Sequence, residues 1–216
     1  MIPEIDTDKF YTIDEAKMAL KGVQPPHYEN RDHDIYFYEW EPLVKIMEYL
    51  TTTSNDSGKL RFSDGKRNDD GIVILNGMEQ KIQFVLAVNG PQEAIRMEHL
   101  KKYGRAPGFN DMKWQGTKHK RKLPEQDSEC FELNEILEKL RRLIQGAVLG
   151  KIKPQYKDMW LGVVFEDLPP SNEKTKPRYS AMCEGVVEEH KDELRNIYLK
   201  VFFVGLSGNY IKHYDI

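Results

Sequence analysis

Apolar positions recur along this chain with two different periods, and the switches between them outline most of its elements. In EPLVKIMEYL, residues Leu43, Ile46, Met47 and Leu50 follow the i, i+3, i+4, i+7 spacing of a buried helical face. Pro42 suits a first turn, where no backbone donor is needed, so the spacing predicts a helix over about 42–53, ended by TTTSNDSG. PQEAIRMEHLKKYG predicts a second helix over about 91–103, opened by Pro91 and closed by Gly104. ELNEILEKLRRLIQGAVL carries a longer stripe, Leu133, Ile136, Leu137, Leu140, Ile144, Ala147 and Val148. PRYSAMCEGVVEEHKDELRN carries another, through Tyr179, Met182, Cys183, Val186, Val187 and Leu194. Between these two helices MWLGVVFEDL is almost continuously apolar, as expected of a strand buried on both faces. IYLKVFFVGLSGNYIKHY reads as a second buried strand, a turn at GLSGN and a short final strand.

Period two dominates the middle of the chain. KLRFS is a short strand candidate, and RNDDGIVILNGMEQKIQFVLAVNG then joins two apolar runs through Asn76-Gly77, the strongest short signal for a two-residue type I′ hairpin. With that turn, Leu75 pairs with Met78, Ile72 with Lys81 and Asp70 with Gln83. The order of elements predicts a mixed α+β fold: a central mixed β-sheet containing an antiparallel hairpin and flanked by helices.

Length and charge refine this picture. A chain of 216 residues holds one full core, so a single mixed-sheet domain over 40–216 is expected, preceded by an acidic extension over 1–39. That extension contains a short helix candidate, IDEAKMALKG, and then VQPPHYENRDHD, where Pro25-Pro26 forbids helix. Net charge is −3, but residues 101–122 hold eight Lys or Arg against Asp111 alone, a local balance of +7 that leaves the remainder at −10. Residues 1–41 contribute ten acids and four bases. Segregated charge speaks of partners rather than of fold. No apolar run has bilayer length and MIPEIDTDKF is neither basic nor apolar, so neither a membrane span nor a leader peptide is expected. Cys130 and Cys183 both fall on predicted helices where a small apolar side chain suits and read as free buried thiols, which makes a reducing cytoplasm the expected compartment.

Residues 101–122 are the candidate contact for DNA or RNA. Lys118, Lys120, Arg121 and Lys122 supply cations for phosphates, and Trp114, with Tyr103 nearby, supplies flat rings for bases. The other reading is a solvated basic loop. The aromatic cluster Tyr36, Phe37, Tyr38 and Trp40 has two readings as well: a surface that meets a protein partner or a second copy, or a part of this chain's own core. The first would make the protein a non-catalytic interaction module or homo-oligomeric accessory protein, of bacterial or phage type. His27, Asp32, His33 and Asp34 match no zinc spacing and read as a surface loop, and His99 and His190 read as surface or half-buried helical residues.

From about Trp40 to Val204, the helix, hairpin, helix and alternating strands, with an acid at Asp70, resemble the PD-(D/E)XK, or restriction-endonuclease-like, nuclease superfamily. That family sets an Asp at the start of one hairpin strand and Glu-x-Lys on the next. The resemblance implies Asp70 as metal ligand and catalytic residue, an acid such as Glu48 on the preceding helix, and Gln92 or Arg96 on the following one, with Arg96 also a contact for nucleic acid. It implies Mg2+ as cofactor and phosphodiester hydrolysis as the activity, because hard cations take carboxylate oxygens and a lysine supports the nucleophile.

The hairpin register bears on that activity. Opposed residues share a face, so the positions beside Asp70 are Gln83 and Val85, where the family pattern has Glu and Lys. Glu79-Gln80-Lys81 spells the motif, but at the hairpin tip, with Glu79 about 13 Å from Asp70 along the strand. The expectation is therefore a degenerate site at Asp70, Gln83 and Glu48, with weak or no cleavage. Glu79 and Lys81 would take over only in a different register.

Overall fold

The computed structural model describes residues 5–22, 36–54, 57–63, 68–88, 90–103, 113, 115, 122–124, 132–167 and 173–216. Among them, helix α1 (Ile13–Gly22) and a π-helical turn (Tyr36–Trp40) lead into α2 (Glu41–Ser54). Strands β1 (Gly58–Phe62), β2 (Gly71–Leu75) and β3 (Met78–Ala87) follow, then α3 (Gly90–Tyr103) and α4 (Leu133–Lys151). The chain continues through β4 (Met159–Phe165), α5 (Lys176–Glu189), α6 (Lys191–Arg195), β5 (Tyr198–Gly205) and β6 (Ile211–Asp215).

The six strands form one sheet in sequence order. β1, β2 and β3 are an antiparallel meander, β3, β4 and β5 run parallel, and β6 returns antiparallel. The parallel steps are the ones that need helices between them, which is where the helical stripes of the sequence fall. β4 is central among the parallel strands and all seven of its residues are buried, as its unbroken apolar run requires. The mixed sheet flanked by helices agrees with the expected fold class.

Local chemistry sets the hairpin. Asn76 and Gly77 both have positive φ, 51° and 78°, the pair of left-handed residues that a type I′ turn demands. Ile72 accordingly pairs with Lys81, Ile74 with Glu79 and Leu75 with Met78.

Two apolar layers cover the sheet. On one face Leu60, Phe62, Val73, Ile82, Phe84, Trp160, Val164, Phe202 and Val204 meet α1 and α2. On the other, Leu161, Val163, Phe165, Val201 and Phe203 meet α4, α5 and α6, with Val85 packed against them. Consecutive residues of β3 thus serve opposite layers, Phe84 one and Val85 the other.

The segment expected as an extension contributes to the first layer. Ile5, Tyr11, Ala16 and Leu20 are buried there, and Tyr11 exchanges backbone hydrogen bonds with Leu60 at 2.7 and 2.8 Å, lengthening the ladder at the β1 edge. Thr12 and Glu15 form a capping box at the start of α1, with the Thr12 N–H donating to Glu15 at 2.8 Å and the Glu15 N–H donating to the Thr12 hydroxyl at 3.3 Å. Tyr36, Tyr38 and Trp40 also pack on this layer. The Trp40 indole N–H donates to the Ser63 carbonyl at 3.2 Å, and its ring lies 5.3 Å from Phe62. These three residues are half-buried, each with one side against the chain's own core.

Candidate functional site

β2 stops one pair short of where β3 still needs a partner. The ladder ends at Gly71 opposite Ile82, followed by the Asp70 N–H donating to the Ile82 carbonyl at 2.9 Å. The next inward amide of β3, that of Phe84, has no strand beside it on the β2 side. It donates instead to the Asp70 carboxylate at 2.6 Å, and the Gln83 side-chain amide donates to the same oxygen. Asp70 therefore completes the ladder with its side chain. This satisfies an amide whose loss to the interior would cost about 1–3 kcal/mol.

The two residues predicted to lie side by side are in contact, and the site around them is larger than the sequence suggested. Gln83 is 6% exposed. Burial pushes the Asp70 carboxyl up from 3.8 to about 6, against the pull of the Phe84 amide and of Lys151, and with a further push from Asp69. Lys151 is the last residue of α4, and its ammonium lies 5.2 Å from the ring centroid of Tyr156. The Tyr198 hydroxyl donates to the Lys151 carbonyl at 2.6 Å, and burial, then Tyr156 and Asp70, raise its pKa. Lys151 at the end of α4 and Tyr198 at the start of β5 thus lie within electrostatic reach of Asp70, with Tyr156 next to Lys151. Lys151 is one of many lysines near helix ends, and no local pattern marks it.

Mg2+ fits this group poorly. One carboxylate, already accepting two hydrogen bonds, and one neutral amide face each other where an ion needs several oxygen ligands, with charge to match. Among the described residues no three His, Cys, Asp or Glu side chains cluster in a way that could hold a metal.

The remaining predicted residues are dispersed. Glu48 pairs with Lys17 of α1 and sits on α2, which packs on the Phe84 layer, opposite the face that Gln83 and Val85 share. Glu79 and Lys81 are exposed near the hairpin tip, as the register predicts. Arg96 reaches Glu166 just after β4, with both terminal nitrogens on both carboxylate oxygens at 2.7 and 2.9 Å, and Glu93 at 3.0 Å. Burial opposes its charge, but the two acids more than offset that. This fork ties α3 to the segment that follows β4, and Arg96, expected at nucleic acid, is ion-paired within the chain. Gln92 lies on the same helix.

Another buried carboxylate, which no local pattern marks, lies after β4. Asp167 accepts the Ser207 N–H at 2.8 Å and also the Ser207 hydroxyl, clamping the turn between β5 and β6 that GLSGN predicts. A Cβ at Gly205 would run into this carboxylate, which is the local reason for glycine there.

Lys118, Lys120, Arg121 and Trp114 lie outside the described residues, as do Cys130 and the His27, Asp32, His33 and Asp34 group. Lys122 is exposed and exchanges backbone hydrogen bonds with Gln115 at 3.1 and 2.8 Å, and Lys113 is exposed too. Cys183 is a buried free thiol, pushed up to about 12 mainly by burial. His190 is half-buried and 3.0 Å from the Gln145 amide. His99 departs from expectation. It is 2% exposed, because with Ile95 it occupies the inward face of α3 one turn apart. No helix among the described residues is long and apolar enough to cross a membrane.

Comparison with known proteins finds no matching family model, no similar curated protein and no similar solved structure.

Proposed function

We propose that this chain is a nucleic-acid-associated protein built on a restriction-endonuclease-like frame that does not hydrolyse phosphodiesters at a meaningful rate. One observation carries the reading. At the position where the resemblance to PD-(D/E)XK nucleases sets the first metal ligand, the Asp70 carboxylate is engaged by the Phe84 N–H and the Gln83 amide, and β3 continues with Val85 in place of lysine. The order α2, antiparallel β1 to β3, helix, parallel β4 supports the nuclease-like frame. The +7 balance of residues 101–122 supports the nucleic acid, and the buried thiol of Cys183 suits a reducing cytoplasm.

The test is anisotropy of labelled DNA and RNA over a salt series, with a parallel cleavage assay in Mg2+ and in Mn2+. Binding that weakens with salt and yields no product is expected. Changing Lys118, Lys120, Arg121 and Lys122 to Ala should flatten the salt dependence by about 0.9 per lost contact on duplex, or about 0.7 on a single strand. Robust Mg2+-dependent cleavage that disappears in Asp70→Ala overturns the non-hydrolytic reading, and absence of binding overturns the nucleic-acid reading.

A further inference from the structure

α3 ends on an aromatic ring that the fold leaves uncovered. Tyr103 is 53% exposed, while the ring beneath it, His99 one turn earlier, is 2% exposed. Their centroids are 5.5 Å apart with planes at 37°. Both His99 ring nitrogens are buried without a hydrogen-bond partner among the described residues, and its ring supports that of Tyr103. Lys102 holds its ammonium 5.0 Å from the Tyr103 centroid. A supported, half-exposed ring with an exposed, long-chain cation over its face thus stands at the beginning of a strongly basic segment, residues 101–122.

A flat ring and a cation together suit a nucleotide, which has an apolar face and a phosphate. In a duplex the base faces are covered by their neighbours, and reaching one costs a few kcal/mol of unstacking. Only an unpaired base offers its face freely, and aromatic stacking with nearby cations is how sequence-tolerant single-strand binders hold it. The overall charge of −3 also differs from that of a dedicated duplex binder, which is basic as a whole.

We infer that Tyr103, supported by His99 and flanked by Lys102, is a stacking platform for an unpaired base of single-stranded nucleic acid, an inference that rests on the nucleic-acid reading above and narrows it to the single strand. The platform lies on α3 and uses none of the groups around Asp70.

The experiment is fluorescence anisotropy of the full chain with a labelled mixed-sequence single strand and with the same strand annealed to its complement. The single strand should bind more tightly than the duplex. Tyr103→Ala should weaken single-strand binding roughly fivefold to a hundredfold, the range of one lost base stack. Tyr103→Phe, which keeps the ring, should bind as the parent does. His99→Phe should also retain binding, because a ring of similar shape replaces one with unpaired nitrogens, whereas His99→Ala should lose part of it; circular dichroism of each variant checks the fold. Duplex preference, or single-strand binding indifferent to Tyr103→Ala, overturns the platform and leaves nucleic-acid binding standing. Failure of both strands to bind the parent overturns the two readings together.

Discussion

The tip and the base of one hairpin make opposite use of similar residues. At the tip, Glu79-Gln80-Lys81 spells a nuclease motif, yet Glu79 and Lys81 are exposed, with water screening whatever they do. At the base, Asp70 and Gln83 form no such run in sequence, yet they are in contact, Gln83 is buried, and Lys151 and Asp69 act electrostatically on Asp70. Chemistry depends on which side chains share a face and a dielectric, and the type I′ turn decides that by pairing Ile74 with Glu79 and placing Asp70 beside Gln83. A motif in the wrong register is a set of surface charges.

The largest effect expected from this contrast is a dependence of stability on pH that resides at the base. Burial pushes the Asp70 carboxyl up to about 6 in the folded protein against 3.8 ordinarily, with the Phe84 amide and Lys151 opposing the rise and Asp69 adding to it. Because the folded value is the higher, this group's contribution is fully present below about pH 4 and is lost as pH rises through about 6, about 3 kcal/mol in all. Urea unfolding from pH 4 to pH 7 should show this loss in the parent relative to Asp70→Asn, and no such difference for Glu79→Gln. Equal profiles for the parent and Asp70→Asn would mean that the carboxyl at the base is as solvated as the one at the tip.

Next comes the addition of a second acid at the base. Gln83→Glu sets two carboxylates together in a buried place and should destabilise the protein at neutral pH by on the order of 2 kcal/mol. Millimolar Mg2+ should recover most of this, seen as a rise in Tm in the variant and none in the parent. A variant whose Tm ignores Mg2+ would show that the base lacks the geometry of a metal site whatever its residues. Adding Val85→Lys tests the complete pattern, at the risk that the lysine does not tolerate the apolar layer around Val85.

Smaller effects probe the turn and then the tip. Gly77→Ala imposes a side chain on a backbone with φ of 78° and should cost about 1 kcal/mol in urea unfolding. A neutral result would mean that packing, and not the turn, holds the register. Glu79→Ala and Lys81→Ala should each change stability by less than about 0.5 kcal/mol. A loss several times larger from either would place that residue in a network the exposed tip does not contain.

What the sequence by itself determined are features written by local chemistry or by period. Asn76-Gly77 specified the turn, and through it the pairing of β2 with β3 and the adjacency of Asp70 and Gln83. The stripe of α4 and the unbroken apolar run of β4 specified an amphipathic helix and a strand buried on both sides, because a period reports how much of an element's surface leaves water. GLSGN specified a turn without revealing the Asp167 carboxylate that clamps it. Only the tertiary structure decided where distant charges and rings ended. It set Lys151 where its charge acts on Asp70, gave Arg96 to Glu166, buried His99 under Tyr103, and drew Tyr11 from a seemingly detached front end into the main core. Apart from the pairing of His99 with Tyr103, each of these outcomes joins segments far apart in the chain. The energy of such a contact depends on burial and on a partner supplied by another element, and neither is encoded in the spacing of neighbouring residues.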